Sequence, residues 1–191
     1  MDFTDTSTAP SASPPPAHDR SATAKSWVVT AVLAVVLTIV LRATLLQAYS
    51  IPTPSMVPTL MQGDRVVVFL LSKDPSRGDI VVFKRSEANP KLSEGEPDVL
   101  IKRVIGLPGE TVNAVDGRVT IDGKVLTESY LPAGTVTTFA APIEVPDGQL
   151  LVLGDNRGNS ADSREFGTID KDLVVGRAVA RIWPLDRLGG L

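Results

Sequence analysis

The sequence predicts an all-β globular domain that follows a single N-terminal transmembrane helix. Val, Leu and Ile are abundant while aromatic residues make up 5% of the chain, a balance that favours strands in the globular part. One apolar segment, 27–46, is long enough to cross a bilayer as a helix. Short apolar runs separated by turn residues follow it. We therefore expect a disordered tail over 1–25, a membrane helix over 26–47 and a β-rich domain over 48–191.

The N-terminal tail is rich in Pro, Ser, Thr and Ala and contains almost no large apolar side chains. Such a composition cannot bury enough surface to offset chain entropy, which predicts disorder. The only histidine of the sequence, His18, falls in this tail. Because a Ser-His-Asp triad needs an ordered imidazole beside the serine, the position of His18 argues against that chemistry.

Composition also excludes several classes of site. The sequence contains no cysteine, which rules out disulfides, thiol nucleophiles and cysteine-based zinc sites. The net charge is −3, and Lys and Arg form no basic stripe, so nothing indicates a nucleic-acid partner. No cluster of metal-ligating residues is present, and we expect neither a metal nor a cofactor.

The apolar segment 27–46 has the features of a membrane anchor. Arg42 lies about one turn from its end, where a long side chain can reach the lipid headgroups. Arg20 and Lys25 precede the segment, and the positive-inside rule then favours a cytoplasmic N-terminus and an extracytoplasmic domain. Two alternatives remain open: a secretory signal cleaved near the small-x-small site at 48–50, and a buried core helix.

After residue 50 the pattern is that of strands bounded by turn residues. The predicted strand segments are 64–71, 79–84, 98–105, 117–126, 148–154 and 173–183. Asp122 and Gly123 predict a tight hairpin turn within one of them. Residues 87–96 are polar and predict a loop, and no segment after residue 46 shows a helical period. The domain is therefore predicted to be all-β.

Among candidate catalytic groups, hydroxyls are the remaining nucleophiles and lysine is the remaining strong base. A lysine can act as a base only if its ammonium loses its proton near neutral pH, and burial is the usual cause. Lys102 lies inside an apolar strand with Leu100 and Val104 on the same face. From the strand alone, Lys102 could equally snorkel to solvent, pair with an acid, or be a desolvated base.

Two further segments could supply chemistry. Ser55 lies in 51–60, where three prolines predict an extended conformation with few backbone donors. That rigidity suits a displayed nucleophile and equally a plain linker. The segment 154–164 contains two acids, two arginines, two asparagines and two serines. It could be a solvated surface turn, or a set of donors and acceptors that positions a base.

Taken together, these segments resemble the bacterial type I signal peptidases, the Ser/Lys proteases that release exported proteins from the membrane. Residues 52–60 resemble the nucleophile box of the family, and 63–64 with 77–84 resemble its core strand motif. Residues 102–109 resemble the box that carries the base, and 154–164 the last box. The resemblance implies a compact antiparallel β catalytic domain of the signal-peptidase and LexA type.

The resemblance also implies a role for individual residues. Ser55 would be the acylated nucleophile, and Lys102 its general base and later general acid. The Thr53 hydroxyl and the Ser55 N–H would form the oxyanion hole, and Ser160 would orient the base. Four residues would be structural charges near the site: Arg103, Asp155, Asp162 and Arg164. Arg103 would pair with Asp155. Two shallow apolar pockets for small substrate side chains would be lined by Ile51, Met56, Val82, Leu100 and Ile101.

One position departs from the family pattern. Pro54 replaces the small glycine that often precedes the nucleophile, which removes a backbone N–H and fixes φ there. Ser55 keeps its own N–H, so the expected oxyanion donor remains.

The implied function is that of a membrane-bound serine endopeptidase that cleaves N-terminal signal peptides after small residues at positions −1 and −3. Its expected partners are membrane-inserted preproteins, the lipid bilayer and the secretion channel. Its expected location is the cell membrane, as a single-pass protein with an extracytoplasmic catalytic domain. One alternative is a self-cleaving Ser/Lys repressor-type protease, which would carry a DNA-binding helical domain instead of the apolar segment. Another is a membrane-tethered, non-catalytic β-domain, which predicts Ser55 and Lys102 out of hydrogen-bond reach.

Overall fold

The structure is a computed structural model that describes residues 20–72, 74–85 and 98–191. In these residues one long helix, α1 (Arg20–Leu45), is followed by a β-rich domain with one further α-helical turn, α2 (Ser163–Phe166), and three short 3₁₀ turns. The strands are β1 (Leu46–Ser50), β2 (Arg65–Phe69), β3 (Ile80–Lys84), β4 (Val99–Gly106), β5 (Thr111–Val115), β6 (Arg118–Ile121), β7 (Lys124–Val125), β8 (Ile143–Glu144), β9 (Gln149–Leu153), β10 (Ile169–Asp170), β11 (Val174–Trp183) and β12 (Gly189–Gly190). The predicted loop 87–96 lies outside the described residues, as do residues 1–19 of the predicted tail.

Helix α1 contains 26 residues, and its described side chains from Trp27 to Val40 are exposed. Residues 20–25, assigned to the disordered tail by composition, form its first turns, because extending an existing helix costs far less than starting one. The helix ends at Leu45, two residues before the predicted boundary, because 46–50 pair with β2. Within the part of the chain that the structure describes, no helix is both long and apolar enough to span a bilayer.

The larger sheet has eight antiparallel strands in the order β1-β2-β11-β3-β4-β9-β10, with β12 paired to β11. All six predicted strand segments contain strands of the structure, so the predicted antiparallel β domain is confirmed. Its central strands β3 and β4 are buried on both faces. Burial on both faces explains why each appears in the sequence as a nearly continuous apolar run.

A smaller antiparallel sheet has the order β7-β6-β5-β8. The predicted hairpin joins β6 to β7 through Asp122 and Gly123, whose φ angles of 49° and 76° are both positive. Two positive φ angles match the strand twist and favour Asp-Gly at this turn. The Asp122 side chain also accepts a hydrogen bond of 2.9 Å from the Thr111 backbone N–H, which ties the turn to β5.

Three buried apolar clusters hold these elements together. The first contains Met56 and Leu60, so the segment that carries Ser55 is anchored in the core. The second packs against the face of β4 that carries Leu100 and Val104. The third joins the two sheets, since it includes Val112 from β5 together with buried residues from β4, β6 and β9.

Gly106 lies where the two sheets pack closely against each other. A Cβ at this position would lie 2.6 Å from Cγ2 of Val112 and 2.9 Å from Cβ of Leu151. Gly106→Ala is therefore expected to destabilise the fold by about 1–3 kcal/mol through overpacking. The measurement is the free energy of unfolding in urea. Gly189→Ala is the matched control, because nothing lies within 4 Å of its Cβ position; equal stability of the two variants would contradict this packing.

Candidate active site

Ser55 lies on a single 3₁₀ turn, Pro54–Met56, that follows the extended residue Thr53. The Val57 N–H closes the turn by donating to the Pro54 carbonyl at 3.1 Å. The prediction that the prolines keep this whole segment extended is therefore wrong at Ser55. The reason is that the fixed φ of proline suits the first position of a helical turn, where its missing N–H is not needed. Pro54 thus favours the turn that presents Ser55.

Lys102 reaches this turn from strand β4. Its Nζ lies 2.8 Å from Oγ of Ser55, and both residues are buried, with 3% and 7% exposure. Lys102 lies opposite Val81 of β3 and therefore projects from a central strand of the larger sheet. A non-catalytic β-domain would have Ser55 and Lys102 out of hydrogen-bond reach, and the 2.8 Å contact contradicts that expectation. Burial also excludes the alternative in which Lys102 snorkels to solvent.

The two side chains face a cavity of about 190 Å³. It is lined by Thr53, Pro54, Ser55, Leu100, Lys102, Asn159, Ser160 and Ala161. Oγ1 of Thr53 lies 3.2 Å from Oγ of Ser55, so the two hydroxyls are in hydrogen-bond contact. A carbonyl group entering the cavity would meet the Thr53 hydroxyl, the Ser55 hydroxyl and the Lys102 amine together.

Ser160 reaches the same cavity from the segment 154–160, which we name the catalytic loop. Gly154 allows this approach, because a Cβ there would lie 2.5 Å from the Ser55 carbonyl oxygen and would overlap the Ser160 side chain. The backbone N–H of Asn156 donates to that same carbonyl at 3.0 Å. The Ser160 hydroxyl is buried and has no hydrogen-bond partner within the described residues.

A buried ion pair joins Arg103 of β4 to Asp155 of the catalytic loop. Two nitrogens of Arg103 donate to the two carboxylate oxygens, Nε at 2.9 Å and Nη2 at 2.6 Å. The Thr59 hydroxyl donates to the same carboxylate at 2.5 Å. The segment 51–60, which carries Ser55, is therefore also bound to Asp155. On its other side, the Arg103 guanidinium lies 3.8 Å from the ring centroid of Tyr130.

Asp162 and Arg164 stabilise the far end of this region. Asp162 is fully buried and accepts from the Gly154 backbone N–H at 2.9 Å. It also receives two hydrogen bonds of 2.8 Å from Arg164, one at each carboxylate oxygen. Arg164 in turn donates to the Arg157 carbonyl at 2.7 Å. The structure thus places both predicted structural charges on the backbone that flanks Ser160.

Sequence reasoning missed Arg157 and Glu128. Arg157 is buried and donates through two nitrogens to the two carboxylate oxygens of Glu128, at 3.0 and 2.5 Å. Burial opposes its charge, yet the hydrogen bonds and attraction of Glu128 prevail and raise the pKa of Arg157. Burial, together with a hydrogen bond to Glu128, raises the pKa of Tyr130 as well. The only local signal was the density of polar residues around Arg157.

The predicted pocket residues divide into two groups. Leu100 lines the cavity beside Ser55 and Lys102. The other four are buried in the first apolar cluster: Ile51, Met56, Val82 and Ile101. Val82 and Ile101 project from the strand faces opposite to those of Val81 and Leu100, into the core that also contains Ile51 and Met56. Within the described residues, no group of His, Cys, Asp or Glu side chains could hold a metal ion.

Residues 24–183 match the family model described as signal peptidase, peptidase S26. The chain belongs to this peptidase family. The predicted family and the predicted enzyme class, a serine endopeptidase, are thereby confirmed. The β domain described above lies largely within the matched region.

Relatives of the peptidase align over most of its length. It is 43% identical over 163 residues to a probable signal peptidase I-2 of Synechocystis sp., covering 84% of this chain and 73% of the relative. It is 46% identical over 166 residues to signal peptidase I of Leptolyngbya laminosa, covering 83% and 79%. It is 35% identical over 175 residues to signal peptidase I of Bacillus licheniformis, covering 85% and 90%.

The buried ion pair of the peptidase gives a stability prediction. Asp155→Asn removes the carboxylate charge and leaves Arg103 buried without its counter-ion, which is expected to cost about 3–5 kcal/mol of unfolding free energy. Asp98→Asn is the control, because Asp98 is 96% exposed and lies 3.8 Å from Arg85. Its expected cost is at most about 1 kcal/mol. Urea unfolding of both variants measures the difference, and similar losses would contradict the assigned importance of the buried pair.

Proposed function

We propose that this peptidase cleaves N-terminal signal peptides from exported preproteins after small residues at positions −1 and −3, with Ser55 and Lys102 as its catalytic dyad. The observation that carries the dyad assignment is the buried 2.8 Å contact between Lys102 Nζ and Ser55 Oγ at a cavity. The names of the aligned relatives, each a signal peptidase I, support the substrate class.

In the first step Oγ of Ser55 attacks the scissile carbonyl carbon while uncharged Lys102 accepts the hydroxyl proton. Removal of an amine from water disfavours its charged form, so the burial of Lys102 supports this role. The lysine ammonium then returns the proton to the leaving amine, and an acyl-enzyme ester on Ser55 remains. In the second step Lys102 accepts a proton from water as the water attacks the ester. The lysine ammonium then gives this proton to the departing Ser55 Oγ, which restores the Ser55 hydroxyl and the uncharged amine and releases the signal peptide.

The negative charge that develops on the carbonyl oxygen needs hydrogen-bond donors. We assign this role to the backbone N–H of Ser55 and the hydroxyl of Thr53, which lies 3.2 Å from the nucleophile oxygen. Loss of one such donor commonly lowers turnover by about 10²–10³-fold.

Ser160 is assigned to orient the base. Its hydroxyl lines the same cavity as Lys102 and is buried without a partner within the described residues. A buried hydroxyl without a hydrogen bond is unfavourable, so a small movement that brings it to the Lys102 amine would give the Ser160 hydroxyl a partner. The structural charges Arg103, Asp155, Asp162 and Arg164 would hold in place the loop that carries Ser160.

The substrate would bind as an extended strand along β4. Residues 99–103 pair with β3 on one side, whereas pairing with β9 begins at Arg103. The open edge before Arg103 leads directly to Lys102 and can accept main-chain hydrogen bonds of a peptide. Leu100 would contact the small side chain at −1 or −3, with Ile51, Met56, Val82 and Ile101 as the apolar layer behind it. The catalytic domain would thus use the compact β fold of the signal-peptidase and LexA type.

The dyad is tested with the full chain in detergent and a preprotein that carries an Ala-x-Ala site. Ser55→Ala and Lys102→Arg are each expected to lower the cleavage rate by at least about 10³-fold, because the dyad acts as a unit and arginine stays protonated. The control is Lys171→Arg, since Lys171 forms a surface pair with the exposed Asp74. It should cleave at the wild-type rate. Turnover by Lys102→Arg close to wild type would exclude Lys102 as the base.

We further propose that α1 anchors the peptidase in the cell membrane, with the N-terminus cytoplasmic and the β domain extracytoplasmic. The support is that the described side chains 27–40 are all exposed and, apart from Thr30 and Thr38, all apolar, with Trp27 at 71% exposure. At 1.5 Å per residue, the 26 residues of α1 cover the roughly 30 Å hydrocarbon core in length, although the described part of the helix does not by itself reach both the length and the apolarity of a membrane span. Such an anchor would keep Ser55 at the membrane surface, where preproteins and the secretion channel present cleavage sites.

The anchor is tested by alkaline extraction of membranes from cells that produce the full chain. Wild type is expected in the membrane pellet. The double variant Leu33→Lys, Val36→Lys is expected in the supernatant, because each charge near the bilayer centre costs about 2.5–3.5 kcal/mol. The control is Val125→Lys with Val136→Lys, two exposed positions of the β domain. Extraction of wild type, or retention of the Leu33/Val36 variant, would contradict the anchor.

A further inference from the structure

The interaction between Glu128 and Arg157 crosses from the smaller sheet to the catalytic loop. Glu128 follows β7 in the segment 126–138, which joins β7 to the region before β8. The side chains of Arg157 and Glu128 are 1% and 10% exposed. A buried bidentate pair of this kind is directional as well as strong, because the planar guanidinium fixes the relative orientation of both partners.

Arg157 also holds two groups besides Glu128. Its Nε donates to the Gly154 carbonyl at 3.0 Å, and its Nη1 donates to the Thr137 hydroxyl at 2.7 Å. Thr137 belongs to the same segment as Glu128 and is 2% exposed. The segment 126–138 therefore supplies two of the acceptors that orient this guanidinium, and the guanidinium in turn holds the carbonyl of Gly154.

The Gly154 peptide is the point at which this contact can influence chemistry. Gly154 packs against the Ser55 carbonyl and the Ser160 side chain, with no room for a Cβ. Two residues later, Asn156 donates to the Ser55 carbonyl through its backbone N–H. A displacement of the Gly154 peptide would therefore move both the nucleophile turn and the hydroxyl proposed to orient the base.

We infer that Glu128 and Arg157 form a positioning pair that sets the catalytic loop against the Ser55 turn, with Thr137 as a supporting acceptor. The segment 126–138 is then part of the catalytic unit and not simply a connection between strands. Neither Glu128 nor Thr137 lines the Ser55 cavity, so their effect on the reaction is exerted through Arg157. This inference rests on the proposed roles of Ser55 and Lys102.

The test compares kcat and KM for preprotein cleavage by the full chain carrying Glu128→Gln or Thr137→Val. Both substitutions preserve side-chain size while weakening one acceptor of Arg157. Glu128→Gln is expected to lower kcat on the order of 10-fold with KM within about twofold of wild type, because misplacement of catalytic groups slows chemistry without removing substrate contacts. Thr137→Val is expected to lower kcat about threefold, since it removes one neutral hydrogen bond. If Glu128→Gln fails to fold, the kcat of Thr137→Val alone tests the inference.

Glu144→Gln is the matched control, since Glu144 lies on β8 of the same sheet and is exposed. It should retain the wild-type kcat. Folded variants with wild-type kcat but a lower unfolding temperature would show that the pair only stabilises the fold, and would overturn the inference. A rise in KM with kcat unchanged would also overturn it, since the pair would then act in binding. In either case, loss of cleavage in Ser55→Ala would leave the proposed function intact, whereas wild-type cleavage by Ser55→Ala would reject both.

Discussion

The buried ion pair between Arg103 and Asp155 is the contact on which the geometry of the candidate site depends. Arg103 follows Lys102 on β4, and Asp155 follows Gly154 in the loop that packs on the Ser55 turn. Each charge has been withdrawn from water and is stable there only beside the other. The pair therefore fixes β4 relative to the catalytic loop, and with them Lys102 relative to Ser55.

The adjacent residues Lys102 and Arg103 of β4 make different contacts because they lie on opposite faces of the strand. Successive side chains on β4 point to opposite faces, so Lys102 can meet Ser55 while its neighbour Arg103 meets Asp155. Asp155 thus pairs with Arg103, and Lys102 lies beside the Ser55 hydroxyl. The same division recurs in the loop, where Asp155 provides support and Ser160 faces the cavity.

Much of the fold could be predicted, because long apolar runs such as 98–105 and 173–183 specify buried strands locally. Two-residue strands such as Ile143–Glu144 and Ile169–Asp170 escaped prediction, because each owes its conformation to the strand with which it pairs. For the site, Lys102 was distinctive from its strand alone. The approach of the 154–164 segment was expected only from family resemblance. The link from Glu128 to Arg157 was missed, since a contact between distant segments leaves no periodic pattern.

Trapping the covalent acyl-enzyme would test the Ser55–Lys102 mechanism. The full chain would be mixed with an activated ester of a short peptide ending in Ala, quenched in acid, and digested for mass spectrometry. We predict that the acyl group is attached to Ser55 and that no adduct forms in Lys102→Ala, although its fold is retained. Acylation of another residue, or turnover of the ester with no adduct on Ser55 at any quench time, would contradict the Ser55–Lys102 mechanism.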